Sequence, residues 1–256
     1  MLHKHTFTSI LTLIFFSWLL MPWGANANQN HLDEPPPRTN GRSAGSRGCS
    51  NDKPILQNTP PALILLTPSQ HPVRTVSTNP SFAWFIRDSK PRQVEFRLYK
   101  EDSITKKYKL VKEIRNQNFQ SKSGIMILPL PNNIFLSKGE KYLWQVELIC
   151  DRHHPSSNLF AEAEIEVVSI QPKFENKLND TVNRAEQALL YAKAGFDYDA
   201  LMAILMMNNS DSIKKVAISK LKLSLLNQVA LKPSELKSLQ NSSIHLIEIN
   251  SLQKKW

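Results

Sequence analysis

Hydrophobic and polar residues alternate along several short runs between residues 61 and 171. Trp144, Val146 and Leu148 fall on one side of such a run, opposite Gln145 and Glu147. A period of two predicts strands that bury one face and expose the other to water. Further runs of this kind lie at 82–85, 94–99, 108–114, 125–130 and 161–167. Together they predict an antiparallel β-sandwich of the immunoglobulin-like or fibronectin-like type.

One residue sharpens this prediction. Tyr142 follows a turn at Gly139 and precedes Trp144, an arrangement similar to the corner of immunoglobulin-like sandwiches. There, a tyrosine near the start of a strand hydrogen-bonds back to the preceding turn. An ordinary strand tyrosine is the alternative interpretation.

After Pro172 the apolar period lengthens to that of helices. One helix is predicted to end at Gly195, a natural C-terminal cap, and a second to open at Asp197 or Tyr198. This spacing resembles one hairpin of a tetratricopeptide repeat (TPR). The prediction is therefore an α+β chain in which a sandwich at 61–171 precedes a small helical, TPR-like domain at 172–256.

The C-terminal part carries further helix signals. Asp211 or Ser212 can cap a third helix, and Pro233 suits the first turn of a fourth. The tail at 244–249 alternates weakly, which leaves a strand and a fraying end as open alternatives.

The N-terminal segment at 1–27 has the pattern of a secretory signal peptide. A basic start precedes an apolar run at 7–21, and small residues precede a predicted cut between Ala27 and Asn28. The run is about 15 residues long, short of the ~20 that a membrane-spanning helix needs, so cleavage is favoured over an anchor. After removal of the signal, no membrane span is expected. Residues 28–60 are rich in Pro, Gly and Ser and predict a flexible arm.

Both cysteines, Cys49 and Cys150, follow the predicted cut. Two thiols in an oxidising compartment usually pair, so we expect a disulfide bond between them. Two unpaired thiols, or pairing between chains, are the alternatives.

The formal net charge is +10. The excess is spread along the chain rather than focused on one segment, and export separates the protein from nucleic acid, which is therefore not an expected partner. Contact with an acidic polysaccharide of the envelope stays open, as does a protein partner there.

Two patterns suggest hydrolase chemistry. Ser43 lies in a G-x-S-x-G match, but no strand precedes it and no helix follows, so we interpret it as a chance match. Glu162, Glu164 and Glu166 alternate on a predicted strand, and alternate carboxylates lie roughly 7 Å apart, as in inverting glycosidases. We interpret them instead as the water-facing side of a sheet.

His153 and His154 follow Cys150 at a predicted strand end. Adjacent histidines on one loop hold a metal only with ligands from elsewhere. We interpret them as a solvated loop, and keep them as weak candidates for a metal or pH-sensing site. No cofactor is expected.

Several segments together resemble an exported cyanobacterial family known as domain of unknown function 928. The resemblance covers about residues 45–230 and rests on the segments Gly45–Cys49, Leu63–Pro68, Asn79–Trp84, Tyr142–Asp151 and Leu190–Leu201. It implies a secreted or periplasmic protein in two parts that has Cys49 and Cys150 as a family feature. It implies no activity and no catalytic residues.

From the sequence we expect an exported envelope protein that acts as a non-enzymatic binding or assembly module. The alternatives are an envelope hydrolase acting on glycan or peptide, and an electrostatic binder of acidic polysaccharide.

Overall fold

The computed structural model describes residues 41–43, 49, 59–68, 72–207 and 215–248. The predicted signal segment with its cut between Ala27 and Asn28 lies outside these residues. So do most of the predicted arm and the predicted caps Asp211 and Ser212.

The described part forms a mixed α+β fold with nine strands and five α-helices. The strands are β1 Leu63–Leu65, β2 Val73–Thr75, β3 Ser81–Ile86, β4 Gln93–Glu101, β5 Tyr108–Gln120, β6 Gly124–Pro129, β7 Lys141–Ile149, β8 Leu159–Val167 and β9 Ile244–Leu246. The helices are α1 Pro172–Asn179, α2 Arg184–Lys193, α3 Asp197–Leu205, α4 Lys215–Val229 and α5 Pro233–Gln240.

Two sheets share one core. The first has the order β1-β3-β6-β9 and the second the order β2-β8-β7-β4-β5. Phe82 of β3 lies 5.1 Å, centroid to centroid, from both Phe96 of β4 and Trp144 of β7, so aromatic rings join the sheets. The alternation predicted for Trp144 and its neighbours places their apolar side in this core.

An antiparallel sandwich was predicted from the sequence. This prediction is wrong for two short strands, which pair in parallel. Strand β2 pairs in parallel with β8, and β9 pairs in parallel with β6. Both short strands lie at sheet edges and are separated from their partners by long stretches of chain, so no hairpin turn sets their direction. The tail at Ile244–Leu246 is therefore a strand.

The boundary between α2 and α3 lies where the sequence predicts it. Gly195, just after α2, has φ +77°. This is the left-handed conformation in which helices commonly end, and glycine adopts it with little strain because it has no Cβ. Asn183 caps α2 by accepting a hydrogen bond from the Glu186 backbone N–H at 3.1 Å. Tyr198 of α3 donates its hydroxyl to the Ser81 carbonyl at 2.6 Å, which docks the α2–α3 pair on the first sheet.

The prediction of a flexible arm over 28–60 is wrong for residues 41–43. The Gly41 backbone N–H donates to the Glu162 carbonyl at 2.8 Å, and the Ser43 N–H donates to the Leu63 carbonyl at 3.1 Å. This segment therefore bridges β8 and β1. Its polar, glycine-containing composition gave no signal of this pairing, because the partners lie far along the chain.

Candidate functional site

The outer face of the second sheet, turned away from the core, carries a ladder of charged side chains. Glu95 on β4 lies opposite Arg115 on β5 and Glu147 on β7. One step along the strands, Arg97 lies opposite Glu113 on β5. Because side chains directly across a sheet approach within about 5 Å, this register pairs Glu95 with Arg115 and Arg97 with Glu113, and it also brings the like charges of Glu95 and Glu147 together.

Arg97 is the centre of this ladder. Its Nη1 donates to Glu147 at 2.9 Å and its Nε to Glu113 at 3.0 Å, while its Nη2 donates to Glu95. Arg115 adds a further ion pair, from its Nε to Glu95 at 2.9 Å. Two arginines therefore hold three carboxylates.

The electrostatics of the ladder follow from its partial burial. Burial raises the pKa of Glu95, although Arg97 and Arg115 act against this shift. Burial acts to lower the pKa of Arg97, but its hydrogen bonds with Glu147 and Glu113 outweigh this and raise it above the ordinary value. Arg97 is accordingly a permanent cation.

The charged ladder forms the floor of a cleft. A bulge in β5 forms one wall of that cleft. The register shifts between the pairs Gln93–Gln120 and Glu95–Arg115, so β5 carries extra residues there. Phe119 turns inward and meets Trp84 edge to face at 6.3 Å. The segment at 116–118 lies on the side of the sheet away from the core, where its three amide side chains line the cleft.

The loop after β7 builds the opposite wall, and a disulfide bond between Cys49 and Cys150 lies at its start. The Cys150 backbone N–H donates to Asn158 Oδ1 at 3.0 Å, and Asn158 Nδ2 donates to Glu147 at 2.9 Å. Arg92 Nη1 donates to the Cys150 carbonyl at 3.0 Å. The structure thus contains the predicted disulfide bond, and hydrogen bonds tie its neighbourhood to the floor.

Floor and walls enclose an open cleft of about 700 Å³, which we call the polar cleft. Its size is in the range of small-ligand sites. The residues that line it are Gln93, Glu95, Arg97, Arg115, Asn116, Gln117, Asn118, Glu147, Ile149, Asp151, Arg152, Pro155 and Asn158. None of these residues was predicted from the sequence as a site residue, because the cleft depends on the register of β4, β5 and β7.

The predicted row of glutamates lies on β8, outside the lining of the polar cleft. The interpretation of Glu162 as water-facing is wrong, because its side chain is buried and accepts a hydrogen bond from Gln145 Nε2 at 2.9 Å. Glu164 and Glu166 are half-buried. The backbone bond from Gly41 to Glu162 extends the edge of β8, and alternation along β8 could not reveal the burial of the Glu162 side chain.

Ser43 is buried beside β1 rather than exposed on a strand-to-helix turn. Its hydroxyl makes no hydrogen bond with the residues that the structure describes. Gly45, the last glycine of the match, lies outside the described residues. Within the described part of the chain, no base is hydrogen-bonded to this serine, and G-x-S-x-G chemistry requires one.

His153 and His154 lie at the edge of the polar cleft, next to Asp151. The His154 Nδ1 lies 2.8 Å from Asp151 Oδ2, and the His153 backbone N–H donates to Asp151 Oδ1 at 2.8 Å. These hydrogen bonds lower the pKa of Asp151. Across residues 41–43, 49, 59–68, 72–207 and 215–248, no group of three His, Cys, Asp or Glu side chains is arranged to hold a metal ion.

Another buried carboxylate, Asp199, lies between helix and sheet. Asp199 of α3 accepts hydrogen bonds from the Thr75 hydroxyl at 2.6 Å and from the Val76 backbone N–H at 3.0 Å. Burial raises its pKa to about 6, against these two bonds. Asp199 therefore links α3 to the end of β2.

A family model described as a domain of unknown function, number 928, matches residues 42–239, most of the chain. The chain belongs to this family. The match spans β1 to β8 and the helices up to residue 239 of α5, and leaves out β9, so the polar cleft lies within the family's region. No curated protein and no solved structure matches the chain. Where the structure describes the chain, every helix is too short or too polar to cross a bilayer.

Proposed function

We propose that this protein is exported to the periplasm or beyond, in a cyanobacterial host, and acts as a non-enzymatic binding or assembly module. Its ligand enters the polar cleft. The observation that carries the proposal is the engagement of Arg97 with Glu95, Glu113 and Glu147, which leaves the floor of the cleft ion-paired. Paired charges present a fixed hydrogen-bonding surface and are poor general acids or bases.

Export is supported by the signal pattern before Asn28 and by the disulfide bond. Mass spectrometry of the protein from its host should show Asn28 as the first residue. A retained Met1, with both cysteines open to alkylation without reductant, would contradict export.

The finer fold is part of the proposal. The two sheets form a sandwich of the immunoglobulin-like or fibronectin-like type, which is supported by the hydrogen bond from the Ser137 N–H to the Tyr142 hydroxyl at 2.9 Å. The pair of α2 and α3, separated by Gly195, is a TPR-like hairpin. An experimental structure compared with members of both fold groups would test these assignments.

Binding is tested with the exported protein immobilised and exposed to fractions of the cell envelope. We expect specific retention that is lost in Gln117→Trp, which fills one wall of the polar cleft. Asn176→Trp in α1 is the matched control, because Asn176 is also exposed and lies outside the cleft. Equal retention by the wild-type protein and Gln117→Trp would contradict a role for the cleft.

An envelope hydrolase is the second candidate. It is favoured by Glu95, whose raised pKa and position beside Glu147 in a cleft are features of paired catalytic carboxylates. New reducing ends or new amino termini in envelope glycans or peptides would reveal turnover. Loss of that turnover in Glu95→Gln and Glu147→Gln would replace the binding proposal with this one.

A further inference from the structure

The carboxylates that line the polar cleft have all their oxygens engaged. The two oxygens of Glu95 accept from Arg97 and Arg115, and those of Glu147 accept from Arg97 and Asn158. The third lining carboxylate, Asp151, is bonded at both oxygens to its neighbouring histidines. A ligand therefore finds few carboxylate acceptors still available.

The arginines of the cleft differ from one another. Arg97 uses its Nε and both Nη atoms on carboxylates. Arg115 uses its Nε on Glu95 and has a side chain that is 65% exposed. Arg152 uses one Nη on the Gln93 side chain at 2.8 Å.

Each guanidinium has five N–H donors, so Arg115 and Arg152 keep several for a ligand. Arg115 extends from β5 and Arg152 from the loop after β7, and both line the same cleft. The surface that a ligand meets is thus positive at two points, although the three arginines and three carboxylates of the lining balance in charge. A guanidinium matches a planar carboxylate by two parallel hydrogen bonds.

The remaining lining is mostly made of neutral amides, which donate and accept at once. They are Gln93, Asn116, Gln117, Asn118 and Asn158. Asn158 already bonds within the protein at both side-chain atoms and Gln93 accepts from Arg152, so the amides at 117 and 118 are the ones offered to a ligand. Such groups suit a ligand rich in hydroxyls. The lining residues include no aromatic side chain, so recognition by hydrogen bonds and charge is favoured over stacking.

We propose that the polar cleft binds an acidic glycan, which rests on the proposed binding function and names its ligand class. Arg115 and Arg152 take the carboxylate of a uronic acid residue, and the amides take its hydroxyls.

The test is calorimetric titration of the exported protein with an oligogalacturonic acid and with the carboxyl-reduced form of the same oligomer. We expect binding of the acid that weakens by at least tenfold for the reduced form. Arg115→Gln and Arg152→Gln are each expected to weaken binding of the acid about tenfold, the effect of one charge-assisted contact. Lys220→Gln on α4 is the control, since it removes the same charge at an exposed site outside the cleft.

Three other outcomes would overturn the assignment of an acidic glycan, and a fourth would overturn only the non-enzymatic function. Equal affinity for both oligomers would remove the role of the carboxylate, and an equal loss in Lys220→Gln would show diffuse attraction to net charge. No binding of either oligomer, with cleft-dependent retention of another envelope fraction, would overturn the glycan class and leave the binding function standing. Binding accompanied by shortening of the oligomer would keep the ligand class and overturn the non-enzymatic function.

Discussion

Two buried carboxylates in this protein are stabilised in different ways. Glu95 in the polar cleft accepts hydrogen bonds from two cations, Arg97 and Arg115. Asp199, at the junction of α3 with β2, accepts from the neutral donors of Thr75 and Val76. Burial raises the pKa of both, but at Glu95 the arginines act against the shift.

This contrast separates two roles for a buried charge. In the cleft, mutual neutralisation allows ionised groups to line a surface that a ligand can enter. At the junction, Asp199 has no hydrogen-bonded cation among the described residues. Its hydrogen bonds fix the docking of α3, and its burial makes that docking sensitive to pH. The predictions below test whether the two regions differ in this way.

The largest expected effect is at the junction. Tyr198, next to Asp199, is fully buried, and Tyr198→Ala leaves a cavity that we expect to lower the free energy of unfolding by about 4 kcal/mol. Tyr198→Phe keeps the ring and loses only the hydrogen bond to Ser81, so it should cost about 1 kcal/mol. Urea denaturation measures both values. Equal losses would show that the hydrogen bond, not the packing, docks the helix.

The central arginine of the cleft should rank next. Arg97→Gln leaves Glu95, Glu113 and Glu147 close together without their shared cation. We expect a loss of about 3 kcal/mol in the free energy of unfolding at neutral pH, because breaking a partly buried ion pair leaves uncompensated charge. The loss should shrink in acid, where the carboxylates are protonated. A loss that is independent of pH would point to packing of the arginine stem instead.

Much of the fold could be predicted from the sequence because local patterns determine it. The alternation around Trp144 predicted β7, and Gly195 marked the end of α2. A hydrogen bond between Tyr142 and the preceding turn was one of two alternatives from the sequence, and the Ser137 N–H does donate to the Tyr142 hydroxyl. In each case, the residues concerned are neighbours in the chain.

The polar cleft could not be predicted in the same way. The cleft requires the register of β4 against β5, which includes a bulge in β5. No residue between 116 and 119 gives a sequence signal for this bulge. The burial of Glu162 likewise could not be predicted from the alternation along β8. Alternation predicts which side chains share a face, but it does not show what covers that face.

The pH dependence of stability is the third test. The pKa of Asp199 is raised from 3.8 to about 6 in the folded protein, so the folded state holds the proton more tightly than the unfolded state. Its contribution to stability is complete below pH 3.8 and is lost as the pH rises through 6. We expect the loss to be about 2 to 3 kcal/mol.

Asp199→Asn provides the comparison, because asparagine does not titrate. The free energy of unfolding of the wild-type protein minus that of Asp199→Asn should fall as the pH rises from 3.8 to about 6, and should level off above that pH. Subtraction cancels the other titrating groups, including Glu95. A difference that is flat across this range would mean that Asp199 titrates alike in both states.

The smallest expected effect on stability belongs to the rim of the cleft. Arg115 is mostly exposed, and its partner Glu95 keeps Arg97 when Arg115 is replaced. Arg115→Gln should therefore change the free energy of unfolding by about 0.5 kcal/mol or less, as exposed ion pairs do. A loss near that of Arg97→Gln would show that Arg115 holds the floor in place, and its effect on ligand binding would then be indirect. A negligible loss of stability, combined with weaker binding, would instead show that Arg115 acts directly on the ligand. The ion-paired carboxylates of the floor would then have no contact with the ligand.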